Sequence, residues 1–237
     1  LVAAFLPAFT DPARLTLLDR LRADGTADAQ VRPNQLIALR AMQDVLPAAT
    51  VQGMARGAAE RLVYPHGVAS LWPADPAFHP YHLLPGYYPK DAAYHNGVVW
   101  CWLSGPLVSL MAGEGAAEKA YEQLQSLGGL ALERATIGTL AELLDALPRL
   151  VAGSNPPALG DGKPEPAGTP FQAWSHGEYL RNVWEDLVGV RYNVTSADDP
   201  FEIYDVVRDP KEAHRLEPGP ATNAAEANRG SFDDCEH

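Results

Sequence analysis

Tryptophans beside polar residues are the side chains of this sequence best suited to bind a ligand. Four of the five tryptophans adjoin segments rich in His, Asn, Gln and Asp: Trp72, Trp100, Trp102 and Trp174. A sugar ring presents flat apolar C–H faces and a rim of hydroxyl groups, so a carbohydrate site needs aromatic platforms with planar polar groups around them. The pattern is that of a sugar site, but on composition alone the favoured interpretation is that these tryptophans are large core residues that happen to adjoin turns.

One carboxylate, Glu142, is a candidate for acid–base chemistry. On sequence alone the commoner interpretation is a solvated helix residue, like Glu118 or Glu122. The signatures of phosphate-binding loops, dinucleotide-binding turns, serine hydrolases and zinc proteases are absent from the sequence. Any hydrolytic chemistry therefore has to come from carboxylates rather than from a nucleophilic serine.

Neither a metal nor a cofactor is predicted. His79 and His82 have a possible ligand spacing, but no third ligand is close to them in the sequence. The two cysteines, Cys101 and Cys235, provide neither a disulfide framework nor a cysteine-based metal site. This cysteine usage favours a reducing, cytoplasmic location.

The formal net charge of −12 argues against two classes of partner. Nucleic acids and anionic membranes both require a basic surface that displaces counterions, so neither is predicted to bind this chain. The apolar start of the sequence lacks the basic residues of a signal peptide. A neutral ligand such as a sugar is compatible with this charge.

Apolar residues recur with helical spacing along most of the chain, and period-two alternation is almost absent. This spacing predicts an all-α protein with helices at 12–23, 33–46, 50–62, 96–112, 116–130, 136–150 and 172–190. Two long connections are predicted at 64–93 and 146–170. Residues 191–237 form a second predicted region, an acidic tail that carries half of the net charge and is expected to be largely disordered beyond about 217.

Five segments, in order, resemble the amylo-alpha-1,6-glucosidase family, the glucosidase domain of glycogen debranching enzymes. RPNQLIAL at 32–39 is similar to the family's RPNQ helix start, and DAAYHNGVVWCWL at 91–103 resembles its DAAYHQGTVWPWL motif. PHGVASLWP at 65–73 lies between them. GTLAEL at 138–143 and QAWS at 172–175 are similar to two later segments of the family.

The resemblance implies an (α/α)6 toroid, of which residues 1–190 would form the C-terminal part. It also implies hydrolysis, with inversion, of the α-1,6-linked glucose at a branch point of glycogen or a related α-glucan. An inverting site needs an acid and a base roughly 6.5–9.5 Å apart. By the motif match Glu142 is the general base, in preference to Glu133. The implied substrate-binding residues are His95, Trp100, Gln172, Trp174, Asp91, Arg32 and Asn34.

The family's general acid is an aspartate well upstream of the RPNQ segment, so the resemblance implies that it precedes Leu1. The expected partner is then the missing N-terminal half of the same domain, and the chain alone is expected to be inactive. Two alternatives stay open. One is a noncatalytic carbohydrate-binding or scaffold module, and the other is a related α-glucosidase that acts on trehalose or glucosylglycerate.

Overall fold

The structure, a computed structural model, describes residues 2–84, 87–134, 136–147, 150–151, 158–159, 164–193 and 202–205. The chain divides into two compact units, Leu1–Leu187 and Val188–His237. In the second unit, the described residues form one antiparallel pair of strands, in which Val190 is opposite Asp205 and Asn193 is opposite Glu202. The remainder of the predicted acidic tail, including its predicted disorder beyond 217, lies outside the described residues.

The described helices are α1 (Val2–Phe9), α2 (Asn34–Met42), α3 (Ala48–Leu62), α4 (Lys90–Tyr94), α5 (Ser104–Gly113), α6 (Ala117–Glu133) and α7 (Ala173–Arg181), and α7 continues as a π-helix over Asn182–Val188. The described strands are β1 (Thr10–Asp11), β2 (Thr16–Leu17), β3 (Arg20–Leu21), β4 (Ala27–Asp28), β5 (Val63–Tyr64), β6 (Gly67–Ala69), β7 (Val99–Trp100), β8 (Leu143–Leu144), β9 (Leu150–Val151), β10 (Ala158–Leu159), β11 (Pro166–Ala167), β12 (Val190–Asn193) and β13 (Glu202–Asp205). None of the described helices is long and apolar enough to cross a lipid bilayer.

The prediction of an all-α protein, and with it the partial (α/α)6 toroid, is wrong. Five of the described strands form an antiparallel sheet in the order β11-β8-β7-β6-β5, which an all-α protein does not contain. This class is mixed α/β. The sheet strands are only two or three residues long, so they are too short to show period-two alternation in the sequence.

This five-stranded sheet separates two hydrophobic clusters. Successive residues of a strand point to opposite faces, so Val68, Trp100 and Leu143 join one cluster. Their neighbours Ala69, Val99 and Leu144 join the other cluster. The first cluster is completed by α2, α3 and α5, and the second mainly by α6.

Helix α3 shows why some of the helices predicted from an apolar face are present in the structure. Its buried residues follow the spacing of one helical face: Val51, Met54, Ala55, Ala58 and Leu62. The helix begins directly after Pro47, where the missing N–H of proline has no cost. Burial of a side chain such as Leu62 contributes about 1.5–3 kcal/mol. The helices predicted at 33–46, 50–62 and 116–130 correspond in the same way to α2, α3 and α6.

Two predicted helices are absent. In the segment 12–23, Leu17 is buried, whereas Leu15 is exposed and has a positive φ of 55°. Asp11 accepts hydrogen bonds from the backbone N–H groups of Ala13 and Arg14, which closes a turn between β1 and β2. The apolar spacing of this segment therefore does not correspond to one helical face.

The described residues of the segment predicted as a helix at 136–150 contain strand β8 and no helix. Leu140, Ala141, Leu143, Leu144 and Ala146 are all buried, because β8 lies between β7 and β11 with a hydrophobic cluster on each face. A short apolar run that is buried on both faces has no periodicity that separates strand from helix. The helix predicted over 96–112 is likewise shorter in the structure, since its first part forms β7.

Candidate active site

Strand pairing brings Glu142 next to two other segments at one end of the sheet. Glu142 directly precedes β8, whose Leu143 is opposite Ala167 of β11 and opposite Trp100 of β7. Because both pairs are antiparallel, the residue before β8 lies beside the residues that follow β11. Accordingly, the backbone N–H of Glu142 donates a hydrogen bond to the carbonyl oxygen of Thr169 at 2.8 Å.

The carboxylate of Glu142 is buried and both of its oxygens accept hydrogen bonds. The hydroxyl of Tyr94 donates to Oε1. The backbone N–H of Thr169 donates to Oε2 at 2.9 Å. Only 8% of the residue is exposed. Two donors from separate segments therefore fix the orientation of this carboxylate.

These contacts set the protonation state of Glu142. Burial by itself raises the pKa of the carboxyl group, but the hydrogen bonds from Tyr94 and Thr169 and the charge of His82 outweigh it, so the pKa lies below 4.5. The same hydrogen bond, together with burial and the negative charge of Glu142, raises the pKa of the Tyr94 hydroxyl to about 12. At neutral pH, Glu142 is thus an ionised acceptor and Tyr94 a neutral donor.

Gly168 allows this arrangement because it has no side chain. Its φ is +71°, which is in the left-handed region that favours glycine. A Cβ at this position would overlap Oε2 of Glu142 and would lie 3.0 Å from the Cβ of Glu142. The backbone of the segment 164–170 can therefore approach the carboxylate only with glycine at position 168.

Aromatic rings connect Tyr94 to the surface. Tyr94 contacts the rings of His95 and Trp100 edge-on, with centroid distances of 4.8 and 5.0 Å. His95 is stacked on Trp100 at 5.6 Å, with an angle of 2° between the ring planes. Trp100 in turn meets Trp174 at 6.1 Å, and Trp174 lies 5.5 Å from Trp102. Trp174 is 48% exposed, so this cluster ends in an indole that is accessible to a ligand.

A cavity of about 440 Å³ is lined by the outer part of this aromatic cluster and by polar side chains. Its lining residues are Asp19, Arg20, Asp28, Gln30, Arg32, Pro33, Asn34, Ser70, His95, Trp100, Trp102, Leu103 and Trp174. The volume is within the usual range of ligand pockets, roughly 300–1,000 Å³. Indoles and amide or carboxylate groups in one cavity are the combination that a sugar ring requires.

Five of the eight predicted site residues line this cavity: Arg32, Asn34, His95, Trp100 and Trp174. Arg32 also links the segment before α2 to the residues that follow α4. Its guanidinium donates to the backbone carbonyl of His95 at 2.5 Å and to the side-chain oxygen of Asn96 at 2.8 Å. Asn96 stands where the family motif has glutamine, and its shorter amide still reaches Arg32.

The other three predicted residues do not line the cavity. Glu142 lies behind Tyr94, in contact with the inner part of the aromatic cluster. Gln172 precedes α7, and its backbone N–H donates to the carbonyl of Leu140 at 3.0 Å. Asp91 is exposed in the first turn of the short helix α4. The role of Glu142 as general base and a direct contact of Asp91 or Gln172 with a ligand therefore stay predictions.

Tyr94, Gly168 and Thr169 are parts of the site that were not predicted from the sequence. Tyr94 belongs to the segment 91–103, and the similarity of this segment to the family motif is the signal from which it could have been identified. Gly168 and Thr169 lie in a Pro- and Gly-rich segment that gave no such signal. Their role depends on strand pairing between residues 27 positions apart, which local patterns do not report.

Cys101 and His79 are two further reactive groups among the described residues. Burial raises the pKa of the Cys101 thiol to about 12, so this side chain is not a thiolate nucleophile at neutral pH. His79 stacks on Tyr88 at 4.3 Å. Across the part of the chain that the structure describes, no three His, Cys, Asp or Glu side chains are grouped so that they could hold a metal ion.

The chain matches a known protein family. A family model described as amylo-alpha-1,6-glucosidase matches residues 2–181, which is more than half of the chain. The match includes Glu142, the aromatic cluster and all residues that line the cavity. No curated protein matches the chain.

Proposed function

Because the chain belongs to the amylo-alpha-1,6-glucosidase family, we propose that it carries the base side of an inverting glycoside hydrolase site for α-1,6-linked glucose. One observation carries this proposal. The ionised, buried Glu142 is held by Tyr94, whose ring packs against His95 and Trp100 in the wall of the 440 Å³ cavity. A base fixed next to an aromatic sugar pocket is the arrangement that hydrolysis at the anomeric carbon needs.

In this proposal Glu142 removes a proton from the water that attacks the anomeric carbon. The base has to be ionised before the water arrives, and the lowered pKa of Glu142 meets this condition at neutral pH. A carboxylate has about four lone-pair positions, so the hydrogen bonds from Tyr94 and Thr169 leave positions for a water molecule. These two donors then hold the base in one orientation during the reaction.

The cavity is proposed to hold the terminal glucose of a branched α-glucan. Trp174 and Trp102 provide indole surfaces for the apolar faces of the sugar, and the polar lining residues face its hydroxyl groups. From the family resemblance we also propose that the general acid is provided by a segment outside these 237 residues. None of the aspartates near the cavity is assigned that role.

The test uses α-D-glucosyl fluoride, since fluoride is a weakly basic leaving group that departs without a general acid. Although the chain alone is expected to be inactive on glycosidic bonds, we expect it to hydrolyse this fluoride and to release β-glucose first, because water attacks the face opposite the departing fluoride. The anomer is identified by proton NMR immediately after mixing. Initial release of α-glucose would contradict inversion.

Hydrolysis of an α-1,6 bond, measured on isomaltose and a branched limit dextrin, is expected only in the full-length gene product, where the acid is present. Trehalose and glucosylglycerate are included in the same panel and are expected to be poor substrates. If the full-length product hydrolysed neither the fluoride nor any α-glucoside, the proposed function would be wrong.

A noncatalytic carbohydrate-binding module is the second candidate, and one observation favours it. Glu142 is not among the residues that line the cavity, and both of its oxygens already accept hydrogen bonds. Such a module would bind isomaltose, detected by a change in tryptophan fluorescence, without any turnover of α-D-glucosyl fluoride. Turnover of the fluoride therefore separates the two candidates.

Replacing Tyr94 with Phe is expected to shift the pH dependence of hydrolysis. Burial favours the protonated form of Glu142, and the Tyr94 hydroxyl is the strongest of the contacts that oppose it, so the pKa of Glu142 should rise in Tyr94→Phe. Because the base has to be ionised, kcat/KM should begin to fall at a higher pH than in the wild type as the solution is acidified. The plateau rate should fall less than in a variant that lacks the carboxylate.

The matched control is Tyr88→Phe, which removes a hydroxyl that contacts the backbone of Tyr81 rather than Glu142. Its pH profile should equal that of the wild type.

The pKa of Glu142 also affects the pH dependence of the free energy of unfolding. The lowered pKa of Glu142 stabilises the fold above pH about 4.5 and this contribution is lost as the pH falls through the folded-state value, so Tyr94→Phe should lose less stability on acidification. If kcat/KM of Tyr94→Phe fell at the same acidic pH as in the wild type, Tyr94 would not set the pKa of Glu142.

A further inference from the structure

The cavity has two carboxylates in its lining, Asp19 and Asp28, and they differ in how far their oxygens are occupied. Both carboxylate oxygens of Asp28 accept hydrogen bonds. Its Oδ2 accepts from Nε of Arg20 at 3.2 Å and from a terminal nitrogen of Arg22 at 3.1 Å. Its Oδ1 accepts from the backbone N–H of Gln30 at 3.3 Å. Asp28 therefore fastens the β3–β4 hairpin and has little capacity for a ligand.

Asp19 is held from one side only. Its backbone N–H donates to the carbonyl of Asp28 at 2.9 Å, which fixes the residue between β2 and β3. Its Oδ1 accepts from the side-chain amide of Asn34 at 2.7 Å. Its Oδ2 forms a long ion pair with Arg32, 4.0 Å from Nε, and at this distance it accepts no hydrogen bond; no other described residue donates one to it. The side chain is only 11% exposed.

Asp19 lines the cavity and is mostly withdrawn from water, and its Oδ2, although paired in charge with Arg32, has no hydrogen-bond donor. Leaving this oxygen without a donor when a ligand displaces the remaining water is costly. A sugar hydroxyl is a donor of the right size, and the indoles of Trp102 and Trp174 line the same cavity. Asn34 lies next to Asp19 and retains a second amide N–H and a carbonyl oxygen for a neighbouring group.

We propose that Asp19, together with Asn34, binds two neighbouring hydroxyl groups of the glucose in this cavity and is a specificity-determining residue. This inference rests on the proposed function and adds a residue that the motif match does not assign. Asp19 Oδ2 accepts a hydrogen bond from one hydroxyl, and the Asn34 amide binds the adjacent one. The pair thereby selects sugars in which both hydroxyls are present and lie on the glucose side of the ring.

The test compares α-D-glucosyl fluoride with its 3-, 4- and 6-monodeoxy analogues, using kcat/KM of the full-length gene product. Each ratio of parent to analogue is compared between wild type and Asp19→Asn, so that intrinsic differences in reactivity cancel. A hydrogen bond donated to a charged acceptor corresponds to roughly a 10- to 100-fold preference. We expect the wild type to discriminate by about this factor against one or two adjacent deoxy positions, and Asp19→Asn to lose that discrimination only there.

Asn34→Ala provides a second variant in case Asp19→Asn does not fold, and it should lose discrimination at the adjacent position. Asp24→Asn is the matched control. Asp24 contacts Thr26 in the exposed turn between β3 and β4 and does not line the cavity, so all ratios should equal those of the wild type.

The possible outcomes separate the inference from the proposed function. If Asp19→Asn lowers kcat/KM for the parent and all analogues by one common factor, Asp19 has only a structural role and the inference is wrong, whereas the proposed function stands. If the wild type turns over none of the fluorides, the proposed function is wrong and the inference is wrong with it.

Discussion

Glu142→Gln is expected to lower kcat for α-D-glucosyl fluoride and for branched dextrin by roughly 10²–10⁴-fold in the full-length gene product, the usual contribution of a general base. Glutamine has the same shape as glutamate, and its amide oxygen can still accept one of the two hydrogen bonds from Tyr94 and Thr169. It takes no proton from water at any accessible pH. The KM should change little, because Glu142 does not line the cavity.

Two comparisons make this expectation specific to base catalysis. Glu133 is an exposed residue at the end of α6. The variant Glu133→Gln also replaces a glutamate carboxylate with an amide, and it should leave kcat unchanged. Glu142→Ala opens space next to the anomeric carbon, where azide can replace water and needs no deprotonation. We expect azide to restore turnover of the fluoride in Glu142→Ala and to give β-glucosyl azide.

Two results would contradict the role of Glu142. The first is kcat close to the wild-type value in Glu142→Gln. The second is loss of activity in Glu142→Ala that azide does not restore, while the thermal midpoint stays unchanged. Initial rates, anomer analysis by NMR and a thermal melt of each variant are the measurements required.

Gly168→Ala is expected to have the second largest effect, about a 10²-fold loss of kcat. A methyl group at this position would overlap Oε2 of Glu142, so either the carboxylate or the segment 164–170 has to move. A displacement of about 1 Å in a catalytic group is enough for a loss of this size. The strained φ of +71° adds a stability cost of about 1–2 kcal/mol.

The variant Gly115→Ala separates the effect of backbone strain from the effect of displacing Glu142. Gly115 has a similar φ of +77°, but a Cβ there would meet no atom within 4 Å. Gly115→Ala should therefore lose comparable stability, measured by urea unfolding, and keep full activity. Equal kcat in Gly168→Ala and Gly115→Ala would show that the close approach to Glu142 is irrelevant to turnover.

The amphipathic helices were predictable from the sequence, and the sheet was not. Helix α6 has one buried face, with Ala120, Leu124 and Leu127, so its periodicity is visible in the sequence. Strand β8 is buried on both faces and has two residues, so its sequence resembles part of a buried helix. The resemblance to the family also led to an expectation of a purely helical fold, which the five-stranded sheet contradicts.

The cavity was partly predictable, because its residues lie within the recognised motifs. His95 and Trp100 belong to one motif, Arg32 and Asn34 to another and Trp174 to a third, and the structure brings these five residues together. The partners of Glu142 were not predictable. Tyr94 is 48 residues away in the sequence, and its hydroxyl reaches Glu142 only because the chain returns to the same end of the sheet.

The unequal anchoring of the cavity walls has a consequence for local unfolding. Trp100 belongs to the five-stranded sheet, and Glu142 is bonded to it through the neighbouring strands, so neither can move away without breaking sheet hydrogen bonds. Trp174 is on α7, and Arg20 is in the separate β3–β4 hairpin. Amide hydrogen exchange should accordingly be slowest around β7 and β8 and faster in α7 and the hairpin. Motion of the cavity walls is therefore expected in these two outer elements, while the base and the inner wall keep their positions.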